Sequence, residues 1–553
     1  MARLTGARAL IETLVSEGVE MIFGNPGTTE LALMHALRDE ARLRYVLVLQ
    51  EAVAVGMADG YARASGKVPF VNLHTVPGLA NGLSVLYNLH YGGSPLVLTA
   101  GSQDSRLALR EPWLSGDLVS LARPLTKWSV EVQQAAELPR VLHRAFKVAA
   151  QPPQGPVFIS LPQDVLMREE EIPLLAPTSV YERLRPDTRA LESAAAALTA
   201  ARAPLVLVGG GVDRVGAHQE VVPFAERLGA PVYTTWITGL QFPTDHPLWG
   251  GVIDLWTEAG RDLLHNADLV FAIGTEVFQQ MGYHERPLLA EGARLVHLHD
   301  NPAELGKNEP SIAVQGDVRE ALCELLPLFD ERLDDSARRA AEARRAEVEG
   351  SLGTAREARR ARLYEGWDER PIRVGRLMSE LLRAMPSDAV LVDDAITSGG
   401  ALKELVSLSR PGSYYNTRGG GSLGWGIGSA LGVALAQPGR EVVAVLGDGT
   451  ALMVIQGLWS AAEHRLPVKF VLCNNASYRI LKLNAQRLFG EAARAPMPGM
   501  DFDQPRLDFV QISEGFGVPA SRVEDPAALP AALRELFALR GPALLDVAID
   551  SSV

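Results

Sequence analysis

Val445-Leu446-Gly447-Asp448-Gly449-Thr450 closes an apolar run that begins at residue 442, and a second apolar run at residues 470–472 leads into Asn474-Asn475. Both runs are short and continuous, which predicts strands covered on both faces. The chain between them is long enough for one helix, the spacing of a parallel strand–helix–strand unit. In such units functional groups sit just past the carboxyl ends of strands. An Asp between two glycines there offers a carboxylate that a metal can approach unobstructed, and Asn475, 27 positions on (475 − 448), adds an amide oxygen. Hard oxygen donors, few protein charges and a phosphate partner are what Mg²⁺ takes. A helix beginning near Leu452 would aim its N-terminus at the same place, which favours a diphosphate.

The same alternation extends outward in both directions. Candidate strands at residues 20–23, 45–49, 69–73, 95–99 and 157–161 are interleaved with segments of helical period such as 52–64. A proline-rich stretch, 173–186, precedes strands at 204–208, with a glycine turn at 209–211, and at 269–273 and 295–298. After a charged helix come strands at 390–392, 442–446, 470–472 and 544–547. At 553 residues the chain exceeds what one hydrophobic core holds. The reading is α/β, three consecutive domains with mostly parallel sheets flanked by helices. They comprise an N-terminal domain at 1–180, a central Rossmann-like domain at 187–330, a charged helical linker at 331–365 and a C-terminal domain at 366–553.

Composition excludes several classes of function. With 53 basic against 66 acidic residues, a net charge of −13 repels polyanions. The one arginine-rich stretch, Arg338 to Arg362, is interleaved with acids and reads as a solvated helix, so no nucleic-acid partner is expected. Cys323 and Cys473 are the only cysteines, far apart and without metal-ligand spacing, which points to a reducing compartment. The first twenty residues have helical spacing with acids inside, unlike a secretory signal, and no stretch approaches the roughly 20 apolar residues of a membrane span. A cytoplasmic protein with no membrane partner is expected.

A GDG followed by an Asn pair about this far on resembles the thiamine diphosphate enzymes. The resemblance implies thiamine diphosphate and Mg²⁺, with Asp448, the Asn475 side chain and the backbone carbonyl of Ser477 as metal ligands. Gly447, Gly449, Thr450, Thr397, Tyr478 and Ile480 would contact the cofactor. Gly419-Gly420-Gly421-Ser422-Leu423-Gly424 also fits the dinucleotide fingerprint, but that needs an acid about 20 positions on, and residue 444 is Ala. It reads instead as a loop that lets backbone approach the cofactor, with Leu423 under the thiazolium ring; a plain flexible loop is the alternative.

Leu47-Val48-Leu49-Gln50-Glu51 puts a carboxylate where an apolar strand meets a helix. By itself this is a first-turn acid favoured by the helix dipole. The resemblance makes Glu51 the activating glutamate, which protonates the aminopyrimidine so that thiazolium C2 can lose its proton. Asn25, Pro26 and Gly27 precede it in the cofactor-binding segment.

More closely, the chain resembles the benzoylformate decarboxylase family nearly end to end, through FGNPGTTEL, LQEAVAVGMADGYA, VNLHTVPGLANG, RPLTKWS, PQGPVFISLP and PGSYYN. The resemblance implies non-oxidative decarboxylation of a small-molecule 2-oxo acid to an aldehyde and CO₂. His74 would contact the substrate carboxylate and relay protons, Thr28 stands for a substrate-touching Ser, and Asn81 would lie in a loop closing the pocket. The family's second histidine falls on Met281, with His284 three residues on as either its substitute or a surface histidine. Ile480 replaces a small residue and Asn484 a pocket phenylalanine, so the aromatic slot is altered.

An acetolactate synthase-like carboligase shares the cofactor motifs and is the alternative. A non-catalytic cofactor-binding subunit is a remote one, opposed by the retention of Glu51. The resemblance further implies a homodimer or homotetramer with active sites at the subunit interface, and argues against FAD in the central domain.

Overall fold

Valine- and leucine-rich segments pair as parallel strands in the large sheets of the computed structural model, which describes residues 2–178, 183–278, 282–417, 419–494 and 497–551. The chain divides into two compact units, one made of residues 1–181, 366–400 and 419–553, the other of residues 182–365 and 401–418.

The first unit holds a two-stranded antiparallel ribbon, Ala2–Thr5 with Glu169–Ile172, and two large sheets. One runs in the order Arg44–Leu47, Met21–Gly24, Phe70–His74, Leu96–Ser102, Pro156–Pro162 and Trp128–Glu131, all parallel. In the other, Val390–Asp394, Val442–Gly447, Val468–Asn474, Ala543–Ala548 and Ala520–Val523 are successive parallel neighbours. Between the sheets, the helix Glu51–Ser65 packs on the helix Gly426–Ala436. Residues 51 to 62 of the former are all buried, as a helix apolar on every side requires. Contact is backbone to backbone: a Cβ at Gly60 or Gly432 would overlap the carbonyl oxygen of Ser429 or Met57. Gln50 caps the helix Glu51–Ser65 by accepting from Ala52 N and Val53 N, and Gly66 ends it at φ 73°.

In the second unit the order is Trp249–Val252, Val232–Thr234, Pro204–Val208, Leu269–Ile273, Arg294–His299 and Ile312–Gln315, again all parallel. The charged stretch forms one helix of 29 residues, Asp335–Leu363, whose only buried residues are Ala341 and Leu352. Among the described residues no helix is long and apolar enough to cross a membrane.

Several expectations are corrected. No helix begins near Leu452: the helix is Asp448–Leu452, starting at the aspartate itself, and a second, Gly457–Glu463, follows. Asn81 lies inside the helix Thr75–Gly92, not in a loop, because its neighbours Leu79, Gly82, Val85, Leu86 and Leu89 bury one face at helical spacing. Strands Trp128–Glu131, Trp249–Val252, Ile312–Gln315 and Ala520–Val523 were not expected; each is a sheet edge, half exposed and too short or polar for a clear apolar run.

Candidate active site

Asp448 is the first residue of its helix and is 3% exposed. Its Oδ1 accepts from Gly449 N at 2.7 Å, and its Oδ2 accepts from Asn475 N at 2.8 Å and Ala476 N at 2.7 Å. Ala476 makes the convergence possible with a left-handed φ of 52°, a conformation that costs a non-glycine residue and marks functional turns. Asn475 Oδ1 in turn accepts from Ser477 N at 3.0 Å. At 449 a Cβ would come 2.6 Å from Tyr478 Cε1, so any larger residue would displace that ring. Burial pushes the Asp448 carboxyl up to about 6 against the pull of its backbone donors.

These residues line an open pocket. Thr397, Leu423, Gly447, Thr450, Tyr478 and Ile480 are in its wall, together with Asn475 and Ser477. Leu423 arrives on the glycine loop, where Gly419, Gly420, Gly421 and Gly424 all have positive φ, open at low cost only to glycine. Buried Asn88 pins that loop: its Oδ1 accepts from Ser422 N and its Nδ2 donates to Ser422 O, both at 2.8 Å. Asn484 Oδ1 is buried without a hydrogen-bond partner among the described residues.

Thiamine diphosphate and Mg²⁺ fit these residues. Asp448 is a buried carboxylate with no Lys or Arg paired to it among the described residues, and an unpaired buried carboxylate is costly. A divalent cation shared with a phosphate would supply the missing positive charge. The described residues contain no cluster of three or more His, Cys, Asp or Glu that suits a metal. A cation bound beside Asp448 would therefore rely on neutral oxygens and the diphosphate, a donor set suited to Mg²⁺.

A second group gathers in the first sheet. Glu51, 8% exposed, accepts from Asn25 Nδ2 at 3.2 Å on Oε1 and from Asn81 Nδ2 at 3.0 Å on Oε2. A Cβ at Gly78 would stand 3.3 Å from Oε1. His74 closes the strand Phe70–His74, and its ring lies against Gly27, where any Cβ would overlap it. His74 Nδ1 is 2.8 Å from Glu30 Oε2 and 3.1 Å from Thr29 Oγ1. Thr28 is exposed at the start of the turn Thr28–Glu30. None of Asn25, Glu51 and His74 lines the pocket beside Asp448.

In the second unit His284 Nε2 lies 3.4 Å from Arg261 Nη1, and Met281 falls outside the described residues. Sequence reasoning missed Glu30 and Asn88. For Glu30 a signal existed, because Gly27-Thr28-Thr29-Glu30 has the spacing of a capping turn. For Asn88 there was none.

Three family models match the chain: the N-terminal TPP binding domain of thiamine pyrophosphate enzymes at residues 4–119, the central domain at 191–325 and the C-terminal TPP binding domain at 397–547. Benzoylformate decarboxylase of Pseudomonas aeruginosa is 34% identical, over 98% of this chain and 98% of its own. The acetolactate synthase isozyme 3 large subunit of Escherichia coli is 30% identical, over 100% of this chain and 96% of its own. Among solved structures, benzoylformate decarboxylase from Polynucleobacter necessarius superposes with a TM-score of 0.88 at 28% identity, covering 99% of each chain. The 4-hydroxybenzoylformate decarboxylase of Rhodococcus jostii RHA1 gives 0.85 at 30%, covering 99% of this chain and 100% of that one.

Proposed function

Because this chain belongs to the thiamine pyrophosphate enzyme family, in its decarboxylase and acetolactate synthase branch, we propose that it decarboxylates a benzoylformate-like 2-oxo acid to an aldehyde and CO₂, with Mg²⁺ holding the diphosphate. When bound, thiamine diphosphate supplies a nucleophilic thiazolium carbon and an electron sink for the broken carbon–carboxylate bond. Asp448, Asn475 Oδ1 and the Ser477 carbonyl would hold the metal. Glu51, fixed by Asn25 and Asn81, would hold the proton shared with the pyrimidine nitrogen. Leu423 props the cofactor from the glycine loop, while Thr28 and His74 face the substrate.

One observation favours decarboxylation over ligation: a histidine held through Nδ1 at the carboxyl end of a strand is a proton carrier. Release of an aldehyde needs a proton delivered to carbon, whereas ligation needs a second carbonyl instead. Ile480 in the pocket wall narrows the space for an aromatic ring, so smaller 2-oxo acids belong in the substrate panel.

Glu51 is absent from the pocket of its own chain, and we read the working site as shared between two copies, Glu51 from one and the Asp448 pocket from the other. Support comes from apolar groups left in solvent on the first unit, with Trp113 86% and Leu109 fully exposed. Aromatic and aliphatic side chains left this exposed are the kind that a subunit interface covers. The free thiols of Cys323 and Cys473 suit the cytoplasm.

Purified protein with thiamine diphosphate and Mg²⁺, offered aliphatic and aromatic 2-oxo acids, should release CO₂ and free aldehyde in equal amounts. Acetolactate or acyloin in place of aldehyde would instead establish the ligase. No binding of the cofactor by calorimetry would overturn both.

A further inference from the structure

We propose that Glu30 is the positioning residue of His74, fixing its tautomer so that Nε2 is the nitrogen that takes and gives the proton; this rests on the reading that His74 faces the substrate. Glu30 is 1% exposed, and a carboxylate in that position must be fully satisfied. Its Oε2 accepts from Gly27 N at 2.8 Å, and its Oε1 accepts from Gly101 N at 2.9 Å and from Thr29 Oγ1 at 2.7 Å. Three donors therefore point at two oxygens, and the group acts as an acceptor only. The fourth contact, from His74 Nδ1 at 2.8 Å, is a hydrogen bond only if Nδ1 carries the hydrogen. That leaves Nε2 as the nitrogen with an open lone pair, on a side chain 21% exposed beside a carboxylate side chain that is 1% exposed.

The fold is built around this pair. A Cβ at Gly27 would overlap the imidazole ring, and one at Gly101 would overlap Glu30 Oε1. His74 and Gly101 are register partners on adjacent strands, so the sheet itself sets the distance between ring and carboxylate. Directly after the histidine, Thr75 is held at φ 45°, a left-handed conformation that β-branched residues rarely adopt. A buried carboxylate on the far nitrogen of a histidine orients the ring and stabilises its protonated form, and the wrong tautomer costs orders of magnitude in rate.

The test uses full-length holoenzyme carrying Glu30→Gln, His74→Ala or both. With its oxygen on the Oε1 side, Gln keeps the acceptor for Gly101 N and Thr29 Oγ1 but turns an N–H₂ toward both Gly27 N and His74 Nδ1. We expect E30Q to lower kcat by about 10²-fold or more, the scale of a lost general acid–base group, with KM and cofactor affinity changed no more than a few-fold. Placed in the H74A background, E30Q should then have almost no further effect on kcat. An equal loss in that background would make Glu30 a structural residue, and wild-type kcat in E30Q would overturn the proposal.

A second readout is independent of turnover. Magic-angle-spinning NMR of ¹⁵N-histidine-labelled protein, with His74 assigned by its absence in H74A, should show Nδ1–H in the wild type and Nε2–H in E30Q. Nε2–H in the wild type would overturn the proposal even if the chain decarboxylates. If instead no 2-oxo acid is turned over, the functional reading fails, and the tautomer still decides the pair.

Discussion

Two amide side chains meet on Glu51 from opposite directions, Asn25 from the loop after one strand and Asn81 from inside a helix. They fix the carboxylate in place, as a group that must meet its partner at one position requires. Glu51→Gln should therefore cut turnover by about 10²-fold or more while calorimetric affinity for the cofactor stays within a few-fold. Unchanged turnover would remove Glu51 from the chemistry. Asp448, among the described residues, relies on backbone N–H groups alone. Both residues were legible because each sits where a strand gives way to a helix. Glu30 and Asn88 were not, because buried polar residues inside a turn or helix look like ordinary ones until their partners are known.

At the scale of elements, the helices Glu51–Ser65 and Gly426–Ala436 carry the join between the two sheets of the first unit. They approach so closely that glycines face backbone. A methyl added at Gly432 meets the Met57 carbonyl, which is not a flexible side chain and cannot swing aside. Gly432→Ala should cost about 1–3 kcal/mol as overpacking and lower the thermal midpoint measured by calorimetry; an unchanged midpoint would mean that the helices separate easily. The short helix Asp448–Leu452 makes a related point. Periodicity places a helix where apolar residues recur, near 452, but the start is set by Gly447 and by the N–H groups of residues 449, 475 and 476 converging on Asp448, and no hydrophobic pattern records that.

At the scale of the whole molecule, pH and association follow from burial and exposure. In the second unit His297 is fully buried, and its Nε2 lies 3.0 Å from the Thr275 carbonyl oxygen, while Nδ1 has no hydrogen-bond partner among the described residues. Burial, with His299 nearby, pushes it down to about 4 from the ordinary 6.5. The unfolded chain then binds the proton more readily between those values, so this contribution is complete above about pH 6.5 and is lost as pH falls toward 4, up to about 3 kcal/mol. Denaturant unfolding from pH 7.5 to 4.5 should show that slope, and His297→Gln should flatten it; parallel curves would refute it.

On the first unit, Leu109→Asp with Trp113→Asp should shift the sedimenting species toward monomer and abolish turnover while leaving Mg²⁺ binding intact. An active monomer would sink the shared site. The amino-acid sequence alone determined the alternation of strands and helices and the position of Asp448 and Asn475 past strand ends, because those depend on periodicity and on spacings within one strand–helix–strand unit. Only the tertiary structure decided that Glu30 grips His74 across 44 positions, that Asn88 pins Ser422 across 334, and that Glu51 is not among the residues lining the pocket beside Asp448. Such partners are chosen by how sheets and helices pack, and packing brings together residues whose separation along the chain carries no trace of their contact.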